Sequence, residues 1–187
     1  MSEDQYLAFE AAQTERTHEW VDGTVIERDV ATEQHEDLVL TLAAMLRSAA
    51  RRVGGKGYPS NLRVRTGLGT RRYPDAIAVA GPRRFAPHPD DQRLDLLNPT
   101  VVVEVLSDST EDDDEGNKLV EYAATDSVRD YLIADPRRMR VVHRTRPDAA
   151  AAWAVRTLTD PADVLEIASI GLRATLGEVY EGVAVGG

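Results

Sequence analysis

Two carboxylates and one amine are the side chains on which chemistry in this sequence could rest. Glu104 stands inside Val101-Val102-Val103-Glu104-Val105-Leu106, a run otherwise wholly apolar, bounded by Asn98-Pro99 and Ser107-Asp108. A short run this rich in β-branched residues reads as a strand buried on both faces. An ionised Glu buried there without a partner would cost several kcal/mol or more, so Glu104 requires a cation, a hydrogen-bond network or a raised pKa. Asp75 follows Tyr73-Pro74 and opens a second apolar strand, Ala76 to Ala80, while Lys118 lies in the helical stretch Asn117 to Ala123. Each residue has an ordinary alternative. Asp suits turns, a strand Glu can face solvent or pair with an arginine, and a helix lysine is usually solvated.

The combination carries more than its parts. A carboxylate opening one strand, another inside the next and a lysine on the following helix can converge at one end of a sheet. Neighbouring carboxylates repel, and a hard divalent cation relieves that repulsion by taking oxygen ligands. Mg²⁺ typically takes one or two protein carboxylates and keeps several waters, so Asp75 and Glu104 suffice for its inner sphere. The cation activates water and offsets charge on a phosphoryl oxygen, and a nearby ammonium orients that water or neutralises developing charge. These are the minimum requirements for hydrolysing a phosphodiester.

The elements that must position these groups follow from the sequence pattern. Ser2-Glu3-Asp4-Gln5 has capping-box form and predicts a short helix through about Glu15. Asp22-Gly23 between His18–Val21 and Thr24–Glu27 predicts a hairpin. From Thr32, Leu38, Leu42, Leu46, Ala49 and Val53 recur at spacings of three and four, predicting an amphipathic helix ended by Gly54-Gly55. Tyr58 to Thr66 alternates as one strand before a turn at 67–70, and 81–99, with four prolines, reads as a long loop. Tyr131–Ala134 and Arg140–His143 predict a strand pair turning at Asp135-Pro136-Arg137-Arg138. Further strands are expected at 153–158 and 164–167, and a short helix at 175–181. No repeat, linker or composition break divides the chain, so the expectation is one α/β or α+β domain over residues 1–187, a mixed sheet flanked by helices.

The 187 residues carry a net charge of −10 and no cysteine. Disulfides, thiol nucleophiles and iron–sulfur clusters are therefore excluded. The acidic N-terminus lacks an apolar core, and no apolar stretch approaches the ~20 residues of a membrane span, so a cytoplasmic location without membrane association is expected. Overall acidity argues against a nucleic-acid partner, but its distribution does not. Arg51, Arg52, Lys56, Arg63, Arg65, Arg71, Arg72, Arg83 and Arg84 are opposed within their stretch only by Asp75. That basic middle permits an anionic ligand, although arginines also serve as solvated strand edges. The four histidines lack zinc-site spacing, and no complete phosphate-binding loop or nucleophile elbow appears. His35 could reach the site from its helix, but on sequence grounds it reads first as a core or helix-surface residue.

Tyr73-Pro74-Asp75, then Val103-Glu104-Val105-Leu106-Ser107 with Ser109-Thr110, then Asp114 and Lys118-Leu119 with Tyr122, resembles the Uma-two family of endonucleases within the restriction-endonuclease-like PD-(D/E)XK superfamily. The resemblance takes in Glu19-Trp20-Val21-Asp22-Gly23, His35 and residues 128–135, and so spans nearly the whole chain. It implies a restriction-endonuclease-like fold acting on DNA, with Mg²⁺ or Mn²⁺ held by Asp75 and Glu104. The superfamily's lysine normally stands two residues beyond the acidic one, where this chain has Leu106, so the resemblance moves that role to Lys118. Glu19 is similar to an acidic residue supplied from the N-terminal region as an additional metal or water contact; a surface hairpin glutamate is the other reading. The dense acids Glu111 to Glu115 read as a solvated loop. The arginines from Arg51 to Arg84 would contact phosphates, and a homodimer would be the simplest way to cut both strands. The alternative is a nuclease-fold binding or assembly module that no longer cleaves.

Overall fold

A computed structural model of the chain describes residues 1–28, 30–87, 94–107 and 116–185. Ser2 caps helix α1 (Glu3–Ala11), its hydroxyl accepting from the Gln5 backbone N–H while the Gln5 side chain accepts from the Ser2 N–H. The helix stops four residues short of the expected end. Strands β1 (His18–Val21) and β2 (Thr24–Glu27) form the expected hairpin, and Asp22 and Gly23 both have positive φ, as a tight two-residue turn of this hand requires. Helix α2 (Glu33–Arg52) is capped by Thr32 and buries Leu38, Leu42, Leu46 and Ala49. Val53 falls beyond the helix and is exposed. Gly55 follows so closely under the sheet that a Cβ there would lie 1.8 Å from the Val79 carbonyl oxygen.

The single strand expected over 58–66 is two. Strand β3 (Lys56–Pro59) and strand β4 (Arg63–Arg65) belong to different sheets, and the chain swings between them through Asn61 at φ 78°. Pro59 cannot donate a ladder hydrogen bond and sits at the end of an edge strand, where none is needed. Beyond it come β5 (Arg71–Arg72), β6 (Ala76–Val79), β7 (Asp95–Leu96) and β8 (Val101–Val105). Helix α3 (Asn117–Ala123) follows, then β9 (Asp130–Asp135), β10 (Arg140–Thr145), β11 (Ala154–Leu158), β12 (Val164–Ile167), β13 (Leu172–Thr175) and a last turn of helix, α4 (Leu176–Val179). Neither β5, β7 nor β13 is foreseen by sequence pattern.

The main sheet runs β11-β10-β9-β8-β6-β3 and a second runs β2-β1-β5-β4-β7, with β12 and β13 as a separate pair. Within the main sheet, β8 is antiparallel to β6 but parallel to β9. A parallel neighbour needs a crossover, and α3 lies on that crossover. Alternation divides the sheet's two faces cleanly. Ala76, Ala78, Val101, Val103, Val105, Leu132 and Ala134 pack with α2 and the C-terminal elements. Ile77, Val79, Val102, Leu106, Tyr131 and Ile133 pack on the opposite face with Tyr122 of α3 and with Val64 and Leu96 of the second sheet. Glu104 shares this second face with Val102 and Leu106. No described helix is long and apolar enough to cross a membrane.

Candidate active site

Register brings the two acids together. Strand β6 pairs with β8 so that Ala76 lies opposite Val103. Continuing that register by one residue sets Asp75 opposite Glu104, where side chains of an antiparallel pair share a face with Cβ atoms roughly 4.5–5.5 Å apart. The Val105 N–H donates to Asp75 Oδ2 at 2.8 Å and pins the aspartate beside the glutamate's strand. Both are buried, Asp75 5% and Glu104 2% exposed.

The cation that Glu104 demands is Lys118. Because β8 and β9 are parallel, the chain must return across the sheet, and α3 brings Lys118 Nζ to 3.1 Å from Glu104 Oε2. One turn later on the same helix face, Tyr122 donates its hydroxyl to Glu104 Oε1 at 2.7 Å. The ordinary reading of Lys118 as a solvated helix residue is wrong, for it is buried. Burial, together with the Glu104 carboxylate at its oxygen, pushes the Tyr122 phenol well above its usual pKa, so it remains a donor.

Glu19 is buried too, and is not a surface hairpin residue. The pairing of β1 with β5 carries it in, with Trp20 opposite Arg71. Its carboxylate accepts from Arg72 Nη1 at 2.7 Å and from the Tyr73 backbone N–H at 2.9 Å. Burial alone would raise the Glu19 carboxyl, but the charges of Lys118 and Arg72 and these hydrogen bonds hold it below the usual carboxylate range. Asp75, Glu104, Glu19 and Lys118 line one cleft of about 1350 Å³. That is larger than the ~300–1,000 Å³ of common small-molecule pockets.

Two further residues line the cleft: Arg28, which escaped the sequence reading of the site, and His35, which the family resemblance took in. Arg28, just past β2, places Nη2 2.9 Å from Asp75 Oδ1. His35, in the first turn of α2, places Nε2 3.4 Å from Asp75 Oδ2. Burial would raise the Asp75 carboxyl, yet His35, the Val105 N–H and Arg28 outweigh it and keep the group ionised below its ordinary value. For His35 burial acts downward, and Asp75 more than offsets it, so the imidazole is raised. No sequence signal marks Arg28. His35 was visible as a helix residue that could reach the site, and its reach over the sheet end depends on tertiary packing.

The basic stretch needs correction. Arg63, Arg71 and Arg72 are buried and cannot present their guanidinium groups to a phosphate chain. Arg63 and Arg71 both pair with Asp95, and Arg71 also with Glu3. Arg72 bridges Glu19 and Glu121, with Nη2 to Glu121 Oε1 at 2.7 Å. Their alternation with short extended segments reflects internal ion pairing between β4, β5 and β7. Arg51, Arg52, Lys56, Arg65, Arg83 and Arg84 remain exposed, but none of these six lines the cleft.

As a donor set, the cleft offers the hard carboxylate oxygens of Asp75 and Glu104 on neighbouring strands, which suit a hard divalent cation. Among the described residues no group of three or more His, Asp and Glu side chains is placed to hold a metal. A cation here would therefore draw on the Asp75 and Glu104 oxygens and on water. Ser109, Thr110, Asp114 and the acidic run Glu111 to Glu115 lie outside the described residues.

Known proteins with this architecture bear on the site. The crystal structure of "a putative nuclease belonging to DUF820" from Anabaena variabilis superposes with a TM-score of 0.78 at 14% identity, covering 97% of this chain and 98% of that one. The likeness shows a shared fold, the restriction-endonuclease-like α+β arrangement of mixed sheet and helices. Two uncharacterised proteins of Synechocystis are similar in sequence, one 28% identical over 98% of this chain and 93% of its own, the other 27% identical over 74% and 77%. The profile of the Uma2 family, described as "Putative restriction endonuclease", matches residues 3–177, and the chain belongs to that family.

Proposed function

We propose that this protein is a metal-dependent endonuclease that hydrolyses DNA phosphodiester bonds, using Mg²⁺ or Mn²⁺ held by Asp75 and Glu104, with Glu19 as an additional contact. The observation that carries this reading is one cleft in which Asp75 stands across from Glu104 while Lys118 Nζ meets Glu104 at 3.1 Å. A divalent cation bound there would supply charge against the developing negative charge on phosphorus-bound oxygens. This chain's own residues do the remainder. The Lys118 ammonium is positioned to donate a hydrogen bond to a phosphoryl oxygen or to hold a water in line with the P–O bond. Hydrolysis joins the water oxygen to phosphorus and breaks the P–O ester bond, and the leaving alkoxide takes up a proton. Tyr122 fixes one oxygen of Glu104, and Arg28 and His35 keep Asp75 ionised.

Nicking of supercoiled plasmid in Mg²⁺ or Mn²⁺ tests the reading. Asp75→Asn, Glu104→Gln and Lys118→Met should each lower the rate by about 10²–10⁴-fold, as loss of a positioned acid–base or electrostatic group does. Nicking that survives Glu104→Ala at the wild-type rate would remove this site from the reaction. A second reading, a nuclease-fold module that binds without cleaving, draws support from the protein cations already seated on both carboxylates. It is distinguished by duplex retention in a gel-shift assay without nicking in either metal.

A further inference from the structure

Asp75 has a competitor for any metal built beside it. Its Oδ2 faces the Val105 N–H and His35, and its Oδ1 faces Arg28 Nη2 at 2.9 Å. A divalent cation and a guanidinium cannot both sit within ion-pair distance of one carboxylate without strong like-charge repulsion. One must yield. His35 is nearly buried on α2 and the Val105 N–H belongs to the central strand, so neither is free to withdraw. Arg28 differs from both. It follows the β2 edge strand, its side chain is 25% exposed, and its guanidinium passes 5.9 Å from the Tyr73 ring at the cleft wall.

On the nuclease reading given above, we propose that Arg28 is a displaceable counter-cation of Asp75 that couples divalent-cation binding to nucleic-acid binding. Without either ligand it neutralises Asp75 and weakens the site for a metal. Once displaced from Asp75 it remains in the cleft, where a backbone phosphate supplies the planar, bidentate partner that a guanidinium fits. Each ligand then relieves the cost that the other incurs, and the coupling is reciprocal. Arg28 acts as a positioning residue and contributes to phosphate recognition in the doubly loaded state.

Calorimetric titration of the full chain with Ca²⁺, at fixed ionic strength, with and without a short DNA duplex, tests this independently of turnover; a gel afterwards checks that the duplex is intact. Wild type should bind Ca²⁺ about five-fold or more tighter with duplex present, within the usual range of coupling between sites. Arg28→Gln should bind Ca²⁺ tighter than wild type without duplex and lose most of the duplex effect, whereas Arg28→Lys, which keeps the charge but not the planar fork, should match wild type without duplex and show a smaller duplex effect. An unchanged or weaker affinity in Arg28→Gln, or a wild-type affinity indifferent to duplex, would overturn the proposal; the wild-type arm stands even if the variant does not fold. Failure of the underlying reading looks different. There, wild type takes up no Ca²⁺ or Mn²⁺, or Asp75→Asn and Glu104→Gln bind as wild type does.

Discussion

At the scale of single residues, the cleft is held by charges that have left water and found partners. Arg72 is the hinge of that arrangement. Only 1% exposed, it satisfies Glu19 on β1 and Glu121 on α3, and Glu121 also accepts from Thr70 at 2.7 Å. Removing one partner of a buried ion pair leaves uncompensated charge and typically costs about 3–5 kcal/mol. Arg72→Met should therefore lower the melting temperature by roughly 6–20 °C for a protein of this size, with thermal denaturation as the measurement. Substitution of an exposed arginine such as Arg83 should leave it within about 2 °C, as surface changes of ±0.5 kcal/mol do. If Arg72→Met melts with wild type, the bridge contributes nothing to the fold. Glu104 was legible in the sequence because its apolar surroundings made solvation costly. Its partner Lys118 was legible only in combination with the two acids and through the family resemblance, since a lysine on a seven-residue helix carries no mark of burial.

At the scale of elements, the main sheet's central strands could be read and the shortest strands of the second sheet could not. Strands β6, β8 and β9 are continuous apolar runs, and that pattern follows directly from being covered on both faces. By contrast β5 is Arg71-Arg72 and β7 is Asp95-Leu96, two-residue strands whose polar members pair with each other. Such a strand looks like a loop until the partner chain segment is known. The β9–β10 turn allows a test of element-level electrostatics. Asp135 Oδ1 accepts from the Arg137 N–H and Nε at 3.0 Å, and Oδ2 from Arg138 Nε at 2.8 Å. Burial would raise its pKa, but Arg137 and Arg138 outweigh that and hold it below the usual value. A depressed carboxyl contributes stability in full above its unfolded value near 3.9, and loses it as pH falls through the folded value. Because both arginine side chains are about half exposed, Asp135→Asn should cost only about 0.5–1 kcal/mol at pH 7. The gap to wild type in urea midpoints should close as pH falls below about 4. A gap that persists undiminished at pH 3 would refute this assignment.

At the scale of the whole molecule, net charge was a poor guide to where charge acts. A chain of −10 still exposes arginines while burying three others within its own ion pairs. If DNA is the substrate, affinity should fall with rising salt, with a log–log slope of about 0.9 per phosphate contacted on duplex. Replacing Arg83 and Arg84 by Ala should flatten that slope by up to about two contacts if those residues meet the backbone. Fluorescence anisotropy of a labelled duplex across a salt series gives the answer, and an unaltered slope would remove Arg83 and Arg84 from the phosphate contacts. A homodimer, proposed for double-strand cutting, would show in sedimentation of the same samples.

The route by which Lys118 reaches Glu104 has one more consequence. On the proposed function, both acids precede the crossover and the amine lies on it, so a chain divided between Val105 and Lys118 would carry the proposed metal ligands on one piece and the assisting amine on the other. Neither piece could cut alone. Restored nicking on mixing would then report that the eighth and ninth strands had paired again, making the nuclease a reporter of its own assembly.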